Sequence, residues 1–371
     1  MDALGIIFSN IHDESLPELT AYRTTASIPF CGRYRLIDFA LSNMVNSGMT
    51  KVGVITKSNY QSLMDHIGSG KDWDLARRHG GLIILPPFGV KESTSLYNTR
   101  LEALKTATGF LSKSTEEYVV LSDSDAVCSM DYTELLSYHN DNNADMTLVY
   151  FKANAERIDG NNNLQLIVDN DGRVADMAFN VKKDMGEVCL YANICIMRRT
   201  MLLNLIQDAV SHGKTHFAAD ILAANVNHFK IYAYEHQGYF TRISSLQSYY
   251  DESLKLLNKE NRDSLFGSGG IYTKVKDSVP TTYGTDSVVN NSLIADGCTI
   301  EGKVYNSIIF RGVKVGKGTV IKNSILMQGT MIGENATVNC IITDKNVIVK
   351  DRRLLSGSLN HPFFINKSTV I

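Results

Sequence analysis

The stretch Asn306-Ser-Ile-Ile-Phe-Arg-Gly-Val-Lys-Val-Gly-Lys-Gly-Thr-Val-Ile321 decides the fold of the C-terminal part of the chain. Ile309, Val315 and Ile321 stand six residues apart, and glycine follows Val315 directly. This is the hexapeptide signature of a β-helix, in which each short strand points one side chain into a triangular core and turns at the next corner. The period extends outward in both directions. Val288, Ile294 and Ile300 precede it; Met327, then Leu326, Ile332 and Val338, then Ile342 and Ile348 follow. Three hexads close a coil, so residues 286–350 are expected to supply roughly three to four coils.

Before Pro280 the pattern is different. Leu4–Phe8, Lys51–Thr56, Gly81–Leu85, Tyr118–Leu121, Met146–Phe151 and Lys230–Tyr234 are short apolar runs and read as strands. Leu36–Asn46, Glu102–Phe110, Tyr132–His139 and Met201–Val210 carry apolar residues at three-to-four spacing and read as helices. The alternation predicts a doubly wound α/β domain over 1–257, a linker over 258–285 containing Gly267-Ser-Gly-Gly270, and the β-helix over 286–371.

Composition narrows the function. The 371 residues suit two domains, and 37 Lys and Arg against 39 Asp and Glu leave a net charge of -2, so no strong field favours nucleic acid or an anionic membrane. With 44% hydrophobic and 20% charged residues the chain can bury an ordinary core. The start Met1-Asp2-Ala3-Leu4 has no basic leader region, and no apolar stretch is long enough to span a bilayer, so a cytoplasmic location is expected. Cys31, Cys128, Cys189, Cys195, Cys298 and Cys340 show no metal-ligand spacing and read as buried thiols.

In a doubly wound sheet, ligands sit beyond the carboxyl ends of the strands. The loop Ser9-Asn-Ile-His-Asp-Glu-Ser-Leu-Pro-Glu18 has no glycine and no Lys or Arg, but carries Asp13, Glu14 and Glu18. A phosphate cradle needs close backbone N–H groups and a cation; this loop offers carboxylates instead. Arg23, Arg33 and Arg35 follow, whose forks suit either phosphate groups or surface ion pairs. Asp123 and Asp125, one residue apart at a strand end, suit Mg²⁺, although two loop acids are also common without a metal. No histidine lies between Gln237 and Asn360, which counts against a prism-based acyltransferase needing a histidine base.

Longer motifs carry a resemblance. Ser27-Ile-Pro-Phe-Cys-Gly-Arg-Tyr-Arg-Leu-Ile-Asp-Phe-Ala-Leu-Ser-Asn-Met-Val-Asn-Ser-Gly48, Trp73-Asp-Leu75, His79-Gly-Gly-Leu-Ile-Ile-Leu-Pro-Pro-Phe88, Met130-Asp-Tyr132 and Ile332-Gly-Glu-Asn-Ala336 resemble bacterial glucose-1-phosphate adenylyltransferase, also called ADP-glucose pyrophosphorylase. The likeness covers nearly the whole chain. It implies a Rossmann-like nucleotidyltransferase domain with a mixed, mostly parallel sheet, then a left-handed parallel β-helix, assembled as a tetramer in glycogen synthesis.

Departures from the family pattern fall on its catalytic groups. Asn10, Ile11 and Asp13 replace phosphate-loop glycines, Ser15 replaces an arginine and Thr25 a lysine. Lys57 falls where a glutamine recognises adenine, and Thr99-Arg-Leu101 where Gly-Thr-Ala is expected. Asp125 keeps the first metal position, but Arg242 takes the second carboxylate's place and Thr241 that of a lysine. Val181-Lys-Lys183 and Tyr191-Ala-Asn193 replace the sugar-phosphate segments. Losing these groups together removes what stabilises charge on a transferring phosphoryl group, so catalysis by the chain itself should be very weak or absent. No metal and no cofactor are expected for this chain, Mg belonging to the catalytic partner, and charge complementarity suggests that Arg242 pairs with Asp125.

This combination resembles the GlgD-type, non-catalytic members of the family, which partner a catalytic GlgC-type subunit in a heterotetramer. It implies a regulatory role, a possible sugar-phosphate or phosphate effector held by Arg23, Arg33 and Arg35 between the domains, and possible homo-oligomerisation. Tyr22 stands where some members have a lysine. A working adenylyltransferase, making ADP-glucose and pyrophosphate from ATP and glucose 1-phosphate, is the alternative.

Overall fold

A computed structural model of the chain describes residues 1–87, 97–157, 163–179, 181–267 and 269–371; Phe88 and Ser268 of the motifs quoted above lie outside them. Nine strands make the large sheet, numbered here β1 (Ala3–Phe8), β2 (Lys51–Ile55), β3 (Gly81–Leu85), β4 (Tyr118–Asp123), β5 (Met146–Asn154), β6 (Leu164–Val168), β7 (Val174–Phe179), β8 (Glu187–Arg198) and β9 (Ile231–Glu235). They run in the order β7-β6-β8-β4-β1-β2-β3, with β5 joining β8 to β9. β4, β1, β2 and β3 are mutually parallel, whereas β8 runs antiparallel to β4 and β5. Alternation along β1 explains its burial on both faces: Leu4, Ile6 and Phe8 enter one hydrophobic cluster, Ala3 and Ile7 the other. The helix Leu36–Asn46 lies so close to β1 that a Cβ on Gly5 would meet Met44 Sδ at 2.3 Å.

The predicted strands and helices are present; β6 and β7 are additional strands, and two further differences stand out. Glu102–Phe110 is two short helices, Arg100–Thr106 and Thr108–Ser112. The long strand β8 was not anticipated, because its pairing with β5 slips between Tyr191 and Cys195, where Asn193 takes a left-handed φ of 59° and interrupts the strand pattern.

Beyond residue 280 the chain winds into three five-stranded parallel sheets, whose members include Thr299–Ile300, Lys303–Tyr305 and Ile308–Ile309. Five rungs rather than three to four result, because the repeat starts at Thr282–Tyr283 and runs to Phe363–Ile365. The segment assigned as linker thus holds the helix Lys259–Phe266 and the prism's first strand. Ile300, Ile309, Val315, Ile321, Leu326, Ile332 and Val338 fill the prism as the hexad spacing requires. Val288 and Ile348 do not: both are exposed, and Val349 takes the inward place next to Ile348.

Ile342, read as an inward residue, points out of the prism instead, in register with Ile308 and Ile325. These three pack with Phe310 and Met327 against Leu16, Phe30, Phe39, Tyr249 and Tyr250 of the first domain. The two domains therefore share a hydrophobic core. Tyr250 Oη donates to the Asn323 carbonyl at 2.5 Å across this junction. Arg23 Nη2 donates to both oxygens of Asp344 at 2.6 and 2.8 Å. No helix among the described residues is long and apolar enough to cross a membrane.

Candidate functional site

β1 and β4 run parallel, so the loop after β1 and the end of β4 meet at the sheet's carboxyl edge. There the chain supplies its own counter-charges. Arg242, on the short strand Phe240–Arg242 paired with Ala126–Cys128, donates Nε to Asp125 Oδ2 at 3.0 Å. Arg100, the first residue of a helix capped by Thr99, pairs with Asp123 Oδ2. His12 Nε2 lies 2.6 Å from Asp123 Oδ2 and 3.5 Å from Asp125 Oδ2. Burial opposes charge on His12, but Asp125 and Asp123 outweigh it and raise its pKa. Burial likewise disfavours charge on Asp123, yet Arg100 and His12 hold its pKa below the usual carboxylate value.

The phosphate-loop region is filled in the same way. The loop turns Asp13 inward, and Thr25 donates both its backbone N–H and its hydroxyl to Asp13 Oδ1, each at 2.7 Å. A carboxylate thus takes the donors that a phosphate oxygen would use. Burial raises the Asp13 pKa to about 6 against these hydrogen bonds. Glu14 and Glu18 stay exposed. Tyr97 donates to Asn10 Oδ1 at 3.1 Å, and Lys57 Nζ to Asn98 Oδ1 at 2.9 Å, so the family's adenine-side position is also engaged internally.

His12, Asp123 and Asp125 bring ligand atoms within 4.8 Å of one another, the spacing of a metal site. Their surroundings do not fit Mg²⁺. Two carboxylates face two guanidinium groups and a histidine whose pKa is raised, so the local charge is neutral to positive before any dication enters. A dication would have to displace both arginines. Asp123 Oδ1 and Asp125 Oδ1 remain buried without a protein hydrogen bond, and a water molecule would satisfy them.

A second site lies between the domains. Arg33 and Arg35 project into a cleft of about 200 Å³ together with Lys274, Lys276, Arg311 and Lys345; among the described residues Asp65 is the one carboxylate in its wall. Arg35 Nη1 donates to the Ser62 carbonyl at 2.5 Å and to Ser62 Oγ at 3.0 Å, and burial lowers its pKa to about 10. His66, with Nε2 2.5 Å from Asp38 Oδ1, closes one side. Burial lowers the Lys345 pKa to about 7, aided by Arg35 and Arg23. Arg311 is paired with Asp296 at 3.0 Å; the other planar forks and ammonium groups of the wall have the chemistry that binds phosphate-class anions.

Sequence reading paired Arg242 with Asp125, and the structure has that ion pair. Thr25 is in the degenerate site, while Ser15 is exposed on its rim. Arg33 and Arg35 share the cleft, but Arg23 does not line it, because its guanidinium is buried against Asp344. Reading a role for Arg23 from its place in the chain overlooked Asp344, 321 residues away. Separations of 111 and 23 residues likewise hid His12 and Arg100 as partners of Asp123. Lys274, Lys276, Arg311 and Lys345 carry no local motif that would have singled them out.

Comparison with known proteins agrees with this architecture. Residues 13–174 match the family model "Nucleotidyl transferase", and residues 277–356 match "GlmU-like, C-terminal hexapeptide". The glycogen biosynthesis protein GlgD of Bacillus subtilis (strain 168) is 35% identical over 369 residues, 99% of this chain and 96% of its own. Its counterpart in Geobacillus stearothermophilus is also 35% identical, over 99% and 96% of the two chains. Glucose-1-phosphate adenylyltransferase of Thermosipho melanesiensis is 31% identical over 86% of this chain and 78% of its own. A nucleotidyltransferase domain docked on a hexapeptide β-helix, matched over 99% of its length by the two GlgD proteins, places the chain in the glucose-1-phosphate adenylyltransferase family, on the GlgD-type side of it.

Proposed function

We propose that the chain is a regulatory subunit of ADP-glucose pyrophosphorylase in glycogen biosynthesis, binding a catalytic GlgC-type subunit in a heterotetramer and raising its activity. The observation that carries this reading is the Arg242–Asp125 ion pair at 3.0 Å, a guanidinium standing where the family pattern has a metal carboxylate. Beside it Arg100 pairs with Asp123, and Asp13 is held by two hydrogen bonds from Thr25, so these groups are engaged from within the chain. Arginines committed to the site's own carboxylates are not free to stabilise charge on a triphosphate.

Such a subunit acts by binding its partner in one conformation and shifting the equilibrium towards it. The cationic cleft supports a role in that shift, with a sugar-phosphate or phosphate effector as its ligand. One segment, Ser9 to Arg35, runs from the degenerate site through the Arg23–Asp344 pair to the cleft wall, so an anion on Arg33 and Arg35 pulls directly on it. Assaying ADP-glucose formation by the purified chain, by its catalytic homologue and by the mixture tests the reading. The mixture should exceed the homologue alone while the isolated chain shows next to nothing. Formation by the isolated chain at the mixture's rate would establish the working enzyme instead.

A further inference from the structure

Lys345 sits in the cleft wall directly after Asp344 and among cations. Arg35 and Arg23 face it from the first domain, Lys367 from the C-terminal segment of the prism. Arg33, Lys274, Lys276 and Arg311 line the same cleft. Acids near it are few and engaged. Asp344 gives both oxygens to Arg23, and its Oδ1 also accepts the backbone N–H of Lys345 itself. Asp65 lines the same cleft, where its Oδ1 accepts from Gln61 Nε2; Asp296 is paired with Arg311, and Asp38 is bound to His66. The Lys345 amine makes no hydrogen bond and no ion pair among the described residues.

Resting on the reading of the cleft as an anion site, we propose that in mildly alkaline solution Lys345 is largely unprotonated in the empty cleft and takes up a proton when a dianion of the phosphate class enters, so that occupancy of the cleft is coupled to pH. A half-buried amine ringed by guanidinium groups loses its proton more readily than a free one, and here it does so at about pH 7. A dianion reverses the local sign and restores the ammonium. Two other titratable groups in the wall are shifted by burial as well. Burial lowers the His66 pKa below its ordinary value and raises that of Tyr34 above its own. Anion and proton thus bind together, each tightening the other.

Sulfate is the probe, because its charge does not change across the range. Calorimetric titration of the full chain with sulfate near pH 8, in two buffers of different ionisation enthalpy, reads proton uptake directly. On the order of one proton should be taken up per sulfate, and affinity should fall close to tenfold per pH unit between about pH 8 and pH 9. Lys345→Arg keeps the positive charge and should bind sulfate with no proton uptake and little pH dependence over that interval. Lys345→Met should bind more weakly, again without uptake. Sulfate binding by the native chain without net proton uptake, or uptake unchanged in Lys345→Arg, overturns the coupling and leaves the anion site standing. Failure of sulfate to bind at any pH overturns the anion site, and the coupling with it.

Discussion

Arg242 at the end of its strand meets Asp125 in the turn just before the paired strand Ala126–Cys128, with side chains almost wholly out of solvent. Removing one partner of such a pair leaves the other charge buried and uncompensated, which costs about 3–5 kcal/mol. Arg242→Met should therefore lower stability by about that amount in urea denaturation, and a loss below about 1 kcal/mol would mean that Asp125 finds its counter-charge elsewhere. Asp13 gives a pH-dependent prediction. Its folded pKa of about 6 lies above the unfolded value near 3.9, so the folded chain binds more protons between those limits and stability falls as pH rises through them. Asp13→Asn keeps an acceptor for Thr25 and removes this slope. The variant should be more stable than the native chain by about 1–2 kcal/mol at pH 8 and equal to it below about pH 4, read from denaturation at both pH values. The degenerate site was legible residue by residue where a family motif broke, as at Thr25 and Arg242. It was not legible where an unremarkable residue, His12 or Arg100, was recruited through space.

Strands and helices with one dominant period were readable because burial on a defined face leaves that period in the sequence. β1 alternates between two clusters, and the inner hexad positions fill the prism. Ile342 and Ile348 show the limit of that logic. A hydrophobic residue in phase looks the same whether it points into the prism, as Ile332 does, into the domain junction, as Ile342 does, or into solvent, as Ile348 does. β8 was hidden for a different reason, since a left-handed Asn193 resets its alternation midway. Close packing between elements yields a prediction of its own. The helix Leu36–Asn46 crosses β1 where only a hydrogen fits, so Gly5→Ala would drive its new methyl group into Met44. The flexible thioether can yield in part, and the cost should be about 1–3 kcal/mol by thermal or urea denaturation. A neutral result would show that Met44 changes rotamer freely and that the helix is less tightly docked than the distance implies.

At the scale of the whole molecule, the junction is the part that sequence could not disclose, because each of its halves looks like an ordinary core until the two are brought together. Leu16, Phe30, Tyr249 and Tyr250 meet Ile308, Ile325 and Ile342 there, and the Arg23–Asp344 pair is buried beside them. Apolar contact holds the domains together but does not fix their angle; a bidentate ion pair does, since the carboxylate takes both bonds in one orientation. Arg23 also lies between Asp13 and Thr25 on the segment that continues to the cleft arginines, so the pair is placed to carry movement from the cleft to the rest of the first domain. Arg23→Met and Asp344→Asn should each cost about 3–5 kcal/mol, and the double variant less than their sum, because the second change removes a charge the first left unpaired. The functional counterpart separates docking from transmission. Either single variant should still co-elute with the catalytic homologue on gel filtration, since its prism and apolar junction are intact. Stimulation of ADP-glucose formation in that mixture should nevertheless fall severalfold. If stimulation stays at the native level while the stability loss is measured as expected, the pair is a structural tie alone, and regulation reaches the partner by another route.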